Sequence, residues 1–170
     1  MTLLAAGGLA TILSLTAFAV FFVLHGIPWL TRQTRSDALI ALLWVHAFRH
    51  IALQIFSAQR FGLAVSDIGR NHIAYGDVAG MLLALAAIVA LYRRSSWSIA
   101  LVWVFVAETI YDLIDSTIIG IRENLFETVA GVTWLILTFY VPLLLLTLVL
   151  IVWQLLARRA EPLGGARVII

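Results

Sequence analysis

The sequence contains neither cysteine nor lysine, and each absence excludes a class of chemistry. Without cysteine the chain has no disulfide, no thiolate ligand for a metal and no thiol nucleophile. Without lysine it has no amine that could hold retinal or pyridoxal phosphate as a Schiff base. Charged residues are also scarce, at 12% of the chain, and the sequence carries no signature of nucleic-acid binding. We therefore expect no nucleic-acid partner.

Apolar residues are abundant instead. They make up 63% of the chain, and the mean hydropathy is +1.06. Soluble domains are only about 45–50% apolar. A membrane-spanning helix needs about 20 mostly apolar residues. Five segments meet this need, at residues 3–29, 38–58, 73–92, 98–120 and 128–156. The predicted fold class is an all-α integral membrane protein, with one five-helix transmembrane bundle over residues 1–157 and a short cytoplasmic tail over 158–170.

Two features refine the first and last of these segments. The first segment has no basic residues before it and is longer than the apolar run of a signal peptide, which is about 7–15 residues. We expect it to remain as a membrane helix. Pro142 predicts a kink in the last segment, because proline removes a backbone donor and clashes with the preceding turn.

The positions of the arginines predict the orientation of the bundle. Seven of them fall on one side of the membrane, at Arg32, Arg35, Arg93, Arg94, Arg158, Arg159 and Arg167. Three fall on the other side, at Arg60, Arg70 and Arg122. Loops rich in arginine stay in the cytoplasm. The N-terminus is therefore predicted outside and the C-terminus in the cytoplasm of a multi-pass protein, with a bacterial inner membrane as the expected location.

The stretch WVHAFRHIALQ places two histidines and an arginine inside the second predicted helix. At 1.5 Å per residue, His46 lies about 13 Å and His50 about 19 Å from the cytoplasmic end of that helix. In a regular α-helix, residues three and four apart share a face. This spacing predicts one polar face made of His46, Arg49, His50 and Gln54.

Carboxylates lie at matching depths in the next two helices. Glu108, Asp112 and Asp115 share one face of the fourth predicted helix. Asp77 reaches the level of Asp112, and His72 lies near the outer end of the third helix. A charged side chain at the centre of the bilayer costs at least about 2.5–3.5 kcal/mol. These groups must therefore converge inside the bundle, and we predict a polar cavity open to the outer side.

Two kinds of chemistry fit this cavity. Imidazole and carboxylate together suit zinc, iron or manganese, and His46, His50 and Asp112 form the tentative ligand set. Arg49 counts against this reading, because a fixed cation beside a metal ion is unfavourable. Metal-free acid–base chemistry on a lipid-soluble substrate is the second reading.

Three further readings remain as alternatives. The polar residues could hold the helices in register in a non-catalytic subunit or binding protein. Intramembrane acids and histidines also form proton relays in transporters, but the cytoplasmic halves of the second and fourth helices are apolar. A b-type haem is disfavoured, because its two axial histidines normally come from two facing helices and His46 and His50 share one.

We therefore expect an enzyme, of isomerase, cyclase or hydrolase type, that acts on a lipophilic small molecule. The predicted catalytic residues are His46, His50, Asp77, Glu108 and Asp112. The predicted cavity residues are Arg49, Gln54, His72, Tyr111 and Asp115. The expected surroundings are the lipid bilayer, with an oligomer or a larger membrane complex as an open alternative.

Arg49 separates these readings most clearly. An unpaired guanidinium at this depth is costly, so we expect it to pair with Asp112 or Asp77 and to stabilise the bundle. His46 and Glu108, deeper in the cavity, are expected to serve chemistry rather than stability. Gly76 and Gly80 form a GxxxG spacing, for which helix packing is the default interpretation.

Overall fold

The computed structural model describes residues 1–161, and this part of the chain folds into helices joined by short turns, without strands. Its helices are α1 (Leu3–Arg32), α2 (Arg35–Arg60), α3 (Asp67–Tyr92), α4 (Ser98–Arg122), the short α5 (Leu125–Thr128) and α6 (Gly131–Ala157). Each of the five predicted segments is helical. Most of the predicted tail, including Arg167, lies outside the described residues.

Four helices, α1, α2, α3 and α6, are long and apolar enough to cross a membrane. These helices support the predicted all-α integral membrane protein. α4 is 25 residues long and differs from them in composition, because Glu108, Asp112 and Asp115 all lie within it. The residues that were predicted to carry chemistry are thus the ones that make α4 less typical of a membrane span.

α3 begins at Asp67, several residues before its predicted start. Ser66 caps this end, since its hydroxyl oxygen accepts a hydrogen bond from the backbone N–H of Gly69 at 2.9 Å. Glu123, just after α4, accepts hydrogen bonds from the backbone N–H of Ser66 at 2.7 Å and from its hydroxyl at 2.6 Å. The start of α3 is therefore set by a contact with a distant part of the chain, which a local sequence pattern does not contain.

α2 is not a uniform helix, and this overturns the predicted polar face. It is α-helical over Arg35–His46, 3₁₀-helical over Arg49–Gln54 and α-helical again over Ile55–Arg60. A 3₁₀-helix has 3.0 residues per turn instead of 3.6, so side chains four apart no longer align. His46 is fully buried, whereas His50 is exposed. The prediction that the two histidines share a face is wrong.

α1 and α6 each contain a π-helical turn just before a proline. The turn at Phe22–Gly26 precedes Pro28, and the turn at Ile136–Tyr140 precedes Pro142. Proline lacks the N–H that would bond the carbonyl four residues earlier, and its ring crowds that carbonyl. A wider turn relieves this conflict. A π-helical segment thus precedes Pro142, and the kink predicted there stays a prediction.

The helices pack in the spatial order α1, α6, α2, α3, α4. α3 packs closely on both α2 and α4, and α6 packs on α1 and α2, whereas α4 and α6 contact each other much less. The side of the bundle between α4 and α6 is therefore loosely closed, and a cleft lies there. Two apolar clusters fill the ends of the bundle, one around Leu43, Ile88 and Phe105 and the other around Ile55 and Leu125.

Arginines connect the helix ends at one end of the bundle. Arg158 donates hydrogen bonds to the carbonyl oxygens of Leu30 at 3.2 Å and Gln33 at 2.8 Å. Arg35 donates to the carbonyl oxygen of Leu155 at 3.0 Å. The hydrogen bond from Arg158 also holds the pKa of the Glu161 carboxyl below its ordinary value. These contacts bring together α1, α2 and α6 at an end where the sequence places several arginines.

Candidate functional site

Arg49 is the centre of the site. Its guanidinium is 2% exposed and contacts three carboxylates from two other helices. Nε donates to Asp77 Oδ1 at 2.8 Å, Nη2 donates to Asp112, and Nη1 lies 3.5 Å from Glu108 Oε2. Nη1 also donates to the Thr109 hydroxyl at 3.0 Å. Arg49 thus contacts both carboxylates that the sequence offered as alternatives, and Glu108 as well.

The 3₁₀ segment and two glycines make this cluster possible. The 3₁₀ segment starts at Arg49, whose side chain is directed towards α3 and α4. On α3, a Cβ at Gly76 would overlap the Asp112 carboxylate, and a Cβ at Gly80 would overlap the Arg49 guanidinium. The GxxxG spacing therefore makes room for the polar side chains between the helices, beyond its expected role in helix packing.

The polar cluster forms one end of a cavity in the cleft between α4 and α6. The cavity holds about 130 Å³, enough for several waters or a segment of an apolar molecule. Its polar lining includes Arg49, Asp77, Thr109, Asp112 and Ser116. Its remaining walls are mostly apolar, with Ile55, Ile73, Leu113, Leu125, Phe126, Val129, Ile136, Leu137, Leu144, Leu145 and Leu148 among them. Glu108 contacts Arg49 but does not line the cavity.

Gln54, one of the predicted cavity residues, lies in the wall of this cavity. It pairs with Thr133 of α6 through two hydrogen bonds, from Gln54 Nε2 to Thr133 Oγ1 at 3.0 Å and from Thr133 Oγ1 to Gln54 Oε1 at 3.2 Å. On the other side of this pair lies a second pocket, which we call the end pocket; it is lined by Ser57, Phe61, Gly62, Thr128 and Gly131 among others.

His46 lies in apolar packing and does not line the cavity. Its ring is edge-on to Phe105, with 4.9 Å between ring centroids, and its Nε2 lies 3.1 Å from the Thr147 hydroxyl. Within residues 1–161, no protein group pairs with its Nδ1 atom. The prediction that His46 works chemically in the cavity, level with Glu108, is therefore not supported by its surroundings.

The tentative metal site is not assembled. His46 is buried beside Phe105, His50 is exposed with its Nδ1 3.4 Å from the Ala47 carbonyl oxygen, and Asp112 is held by Arg49. In the described part of the chain, no group of three histidine, aspartate or glutamate side chains is arranged to hold a metal ion. The 3₁₀ segment is the physical reason, since it turns His50 away from His46.

Three other predicted cavity residues lie elsewhere. Tyr111 is 69% exposed, on the outside of α4. His72 and Asp115 form a separate pair near the surface, with 3.1 Å between His72 Nδ1 and Asp115 Oδ2. None of the three lines the cavity. Asp115 lies about 60° around α4 from Asp112, on the side away from Thr109 and Ser116. It therefore faces His72 of α3 and not the cavity.

Several hydroxyl side chains of the site were missed. Thr109 lies three residues before Asp112 and Ser116 lies four after it, so helical spacing could have found both. Thr133 and Thr147 each lie in an apolar stretch without polar neighbours, so no local sequence pattern predicts a role for them. Tyr140 was missed as well; its hydroxyl donates to the Val45 carbonyl oxygen at 2.7 Å and connects α6 to α2.

The fold and the site define an α-helical protein with four helices long and apolar enough to cross a membrane and with a buried arginine–carboxylate cluster beside an apolar cavity. Residues 6–156 match the family described as a domain of unknown function, DUF8737. The chain belongs to this family. No curated protein and no solved structure matches it.

Proposed function

We propose that this protein is a membrane enzyme that binds a lipophilic molecule in the cavity between α4 and α6 and transfers protons on it with Asp77 and Asp112. The observation that carries the proposal is that both carboxylates and their arginine line the same cavity as a large set of leucines and isoleucines. A ligand site that is mostly apolar, with a few convergent polar groups, is the usual form of a small-molecule site.

The charge balance of the cluster supports acid–base chemistry. One guanidinium faces three carboxyl groups, so full ionisation would leave two excess negative charges away from water. Such an excess is costly unless protons or a cation offset it. Two carboxyl groups in one site commonly divide the roles, one protonated as the acid and one ionised as the base. Arg49 contacts both, and it would orient them and keep the base ionised.

The cavity suggests the kind of substrate. Its long apolar part suits a hydrocarbon body, and its polar end suits a double bond or an oxygen function that accepts a proton. The weak contact between α4 and α6 gives such a molecule a direct path from the lipid. Isomerase, cyclase and hydrolase reactions remain the candidate classes.

The alternatives have less support. A metal-dependent enzyme has less support, because two of its tentative ligands, the buried His46 and the exposed His50, point apart. A proton-coupled transporter would need polar groups beyond the cluster on both sides, and the apolar cluster around Leu43, Ile88 and Phe105 fills one of them. A purely structural subunit would use the Arg49 ion pairs but would have no need for the cavity beside them.

We also propose the finer topology. α4 would be a fifth spanning helix, because its carboxylates Glu108 and Asp112 are engaged inside the bundle by Arg49. The N-terminus would lie outside and the C-terminus in the cytoplasm, in keeping with the arginines at the end that Arg35 and Arg158 hold together. A bacterial inner membrane remains the proposed location. Assembly into an oligomer or a larger membrane complex remains an alternative to a single copy.

Dicyclohexylcarbodiimide tests whether an apolar molecule reaches a protonated carboxyl group here. The acid proton moves to a carbodiimide nitrogen, the carboxylate oxygen adds to the central carbon, and migration of the acyl group to nitrogen leaves a stable acylurea. We expect mass spectrometry of peptides to find this adduct on Asp112 or Asp77. Asp112→Asn and Asp77→Asn identify the reacting residue. Adducts confined to exposed carboxyl groups such as Asp67 would overturn the proposal.

A second measurement tests the chemistry itself. A lipid extract of the host cells is incubated with the wild-type protein, with Asp112→Asn and with Asp115→Asn, and its species are compared by mass spectrometry. Asp115 is the matched control, because it lies on the same helix but outside the cavity. We expect the same lipid species to change with wild type and with Asp115→Asn, and to stay unchanged with Asp112→Asn. No change with any variant would leave the non-catalytic binding role as the better conclusion.

A further inference from the structure

The cavity and the end pocket share a wall. Gln54, Leu63 and Thr133 line both of them. The hydrogen bonds between Gln54 and Thr133 close the polar part of this wall, and Leu63 forms an apolar part of it. The end pocket lies at the end of the bundle, between the last turns of α2 and the start of α6, and its lining includes the exposed Ser57 and Phe61. This position is at the edge of the candidate spans, where water is available. Leu63 and the Gln54–Thr133 pair therefore separate that pocket from the cavity that contains Asp112.

Both members of the pair lie where the backbone can yield. Gln54 ends the 3₁₀ segment, and Thr133 lies in a five-residue helical stretch that precedes the π-helical turn of α6. Gly131, two residues before Thr133, has a positive φ of 57°. A 3₁₀ stretch within a longer helix often marks a hinge, and π-helical turns within helices are frequent at functional sites. The pair can therefore separate without unfolding a spanning helix.

Neither side chain depends on the other for its hydrogen bonds. Glutamine and threonine side chains can each exchange their mutual hydrogen bonds for bonds to water, and such an exchange changes the free energy by only a small amount. An apolar pair at the same place would repel water, and an ion pair would be harder to open. A neutral, reciprocally bonded pair is suited to open and close.

We infer that Gln54 and Thr133 regulate the entry of water from the end pocket to the carboxyl groups of the cavity. The inference rests on the proposed function, because it supplies that site with water by a route separate from the lipid path between α4 and α6. Water entering there exchanges protons with Asp77 and Asp112 and resets the acid and the base after each reaction. Gln54 and Thr133 are positioning residues, since they act through water and do not touch the reacting atoms.

The absence of native cysteine allows a direct test. Ser116→Cys places a thiol in the cavity beside Asp112, and Ser57→Cys places one in the end pocket alone. Each protein is reconstituted in lipid nanodiscs, where both membrane faces are open to reagents. A charged, water-soluble methanethiosulfonate with a trimethylammonium group reports the water route. The apolar reagent N-phenylmaleimide, which partitions into the bilayer, reports the lipid route.

We expect the charged reagent to modify Ser57→Cys rapidly and Ser116→Cys slowly. Adding Gln54→Ala to Ser116→Cys should raise the rate of modification by the charged reagent about tenfold. The reason is that this change removes a barrier made of a pair of hydrogen bonds. Thr133→Val, which keeps the shape of the wall but removes its hydroxyl, serves as the second variant if Gln54→Ala does not fold. Ser57→Ala is the matched control, because Ser57 lines the end pocket but not the shared wall, and it should leave the rate unchanged.

Two results would overturn the inference. One is a Ser116→Cys thiol that reacts with the charged reagent as fast as Ser57→Cys while the wall is intact. The other is a rate that neither Gln54→Ala nor Thr133→Val increases. The lipid route is tested separately. If N-phenylmaleimide fails to modify a Ser116→Cys thiol that the charged reagent does modify, the lipid-accessible cavity of the proposed function is wrong. Faster modification of Ser116→Cys by the charged reagent in the Gln54→Ala background would in that case still support the barrier to water formed by Gln54 and Thr133.

Discussion

Arg49 forms ion pairs with carboxylates that would be costly to place in the membrane without a partner. Its one guanidinium meets carboxylates from α3 and α4, so a single side chain of α2 connects three helices. Planar guanidinium groups suit this role, because their five donors reach several acceptors at once, whereas a lysine ammonium is a compact charge. The same residue thus serves both the stability of the bundle and the arrangement of the carboxyl groups at the cavity.

Removal of Arg49 should destabilise the protein. We expect Arg49→Ala to lower the free energy of unfolding by about 3–5 kcal/mol, because the carboxylates lose their buried partner. The double variant with Asp112→Asn should recover much of this loss, since one of the uncompensated charges disappears. Thermal unfolding in detergent measures both, with Arg60→Ala, an exposed arginine, as the control. Equal melting temperatures for Arg49→Ala and Arg60→Ala would refute the role given to the cluster.

His46 should behave in the opposite way to the sequence-based expectation. It is fully buried against Phe105, so His46→Ala should create a cavity and cost about 2–5 kcal/mol. His46→Phe keeps most of the volume and should cost less than about 1.5 kcal/mol. It should also leave carbodiimide labelling of Asp112 intact, because His46 does not line the cavity. A protein that tolerates His46→Ala but loses that labelling in His46→Phe would restore the chemical role.

At the scale of elements, the glycines of α3 leave room for polar side chains of the neighbouring helices, in addition to allowing close helix packing. The face of α3 towards α2 and α4 has no side chain at Gly76 and Gly80, and the Asp112 carboxylate and the Arg49 guanidinium fill that space. The irregular parts of α2 and α6 complete the arrangement. The 3₁₀ segment carries Arg49 and Gln54, and the π-helical turn of α6 follows Thr133.

Gly80→Ala tests this arrangement. The added methyl group would meet the Arg49 guanidinium and the Glu108 carboxylate, so we expect a loss of about 1–3 kcal/mol in unfolding free energy. Gly8→Ala is the matched control, because a Cβ at Gly8 meets no atom within 4 Å. That change in α1 should be neutral or raise the stability by up to about 1 kcal/mol. Chemical unfolding in mixed micelles compares the pair, and equal stabilities would contradict the packing described here.

At the scale of the whole molecule, the bundle is a chain of neighbouring helices that is not fully closed. α1 joins the others mainly through α6, and the cavity lies in the cleft between α4 and α6. The end pocket lies at the end of the bundle near α5 and the start of α6. In the proposed function, the cleft is the approach from lipid and the end pocket is the approach from water to one polar cluster.

The proposed orientation can be measured on intact cells. Arg60→Cys and Arg159→Cys each place one thiol at an exposed position, at opposite ends of the predicted bundle. A membrane-impermeant maleimide should modify Arg60→Cys at once and Arg159→Cys only after the membrane is permeabilised. The reverse pattern would invert the topology. Labelling of both positions from outside would mean that the number of spanning helices is even and that α4 does not cross.

The sequence by itself determined the class of the molecule and the neighbourhood of its polar cluster. Composition alone indicated membrane helices, and the rise per residue put Arg49, Asp77 and Asp112 at one level. The cost of a charge in lipid then required these groups to face one another. These conclusions follow from local spacing and from the energetics of the bilayer, which do not depend on how the helices pack.

Only the tertiary structure decided which side chains share the cavity. The helix changes from α to 3₁₀ between His46 and His50, and Gln54 meets Thr133 across 79 positions of sequence. Whether a stretch forms α-, 3₁₀- or π-helix depends on small energy differences that contacts with other helices can reverse. A sequence pattern assumes one regular period, so it predicts the depth of a membrane residue better than the direction in which its side chain points.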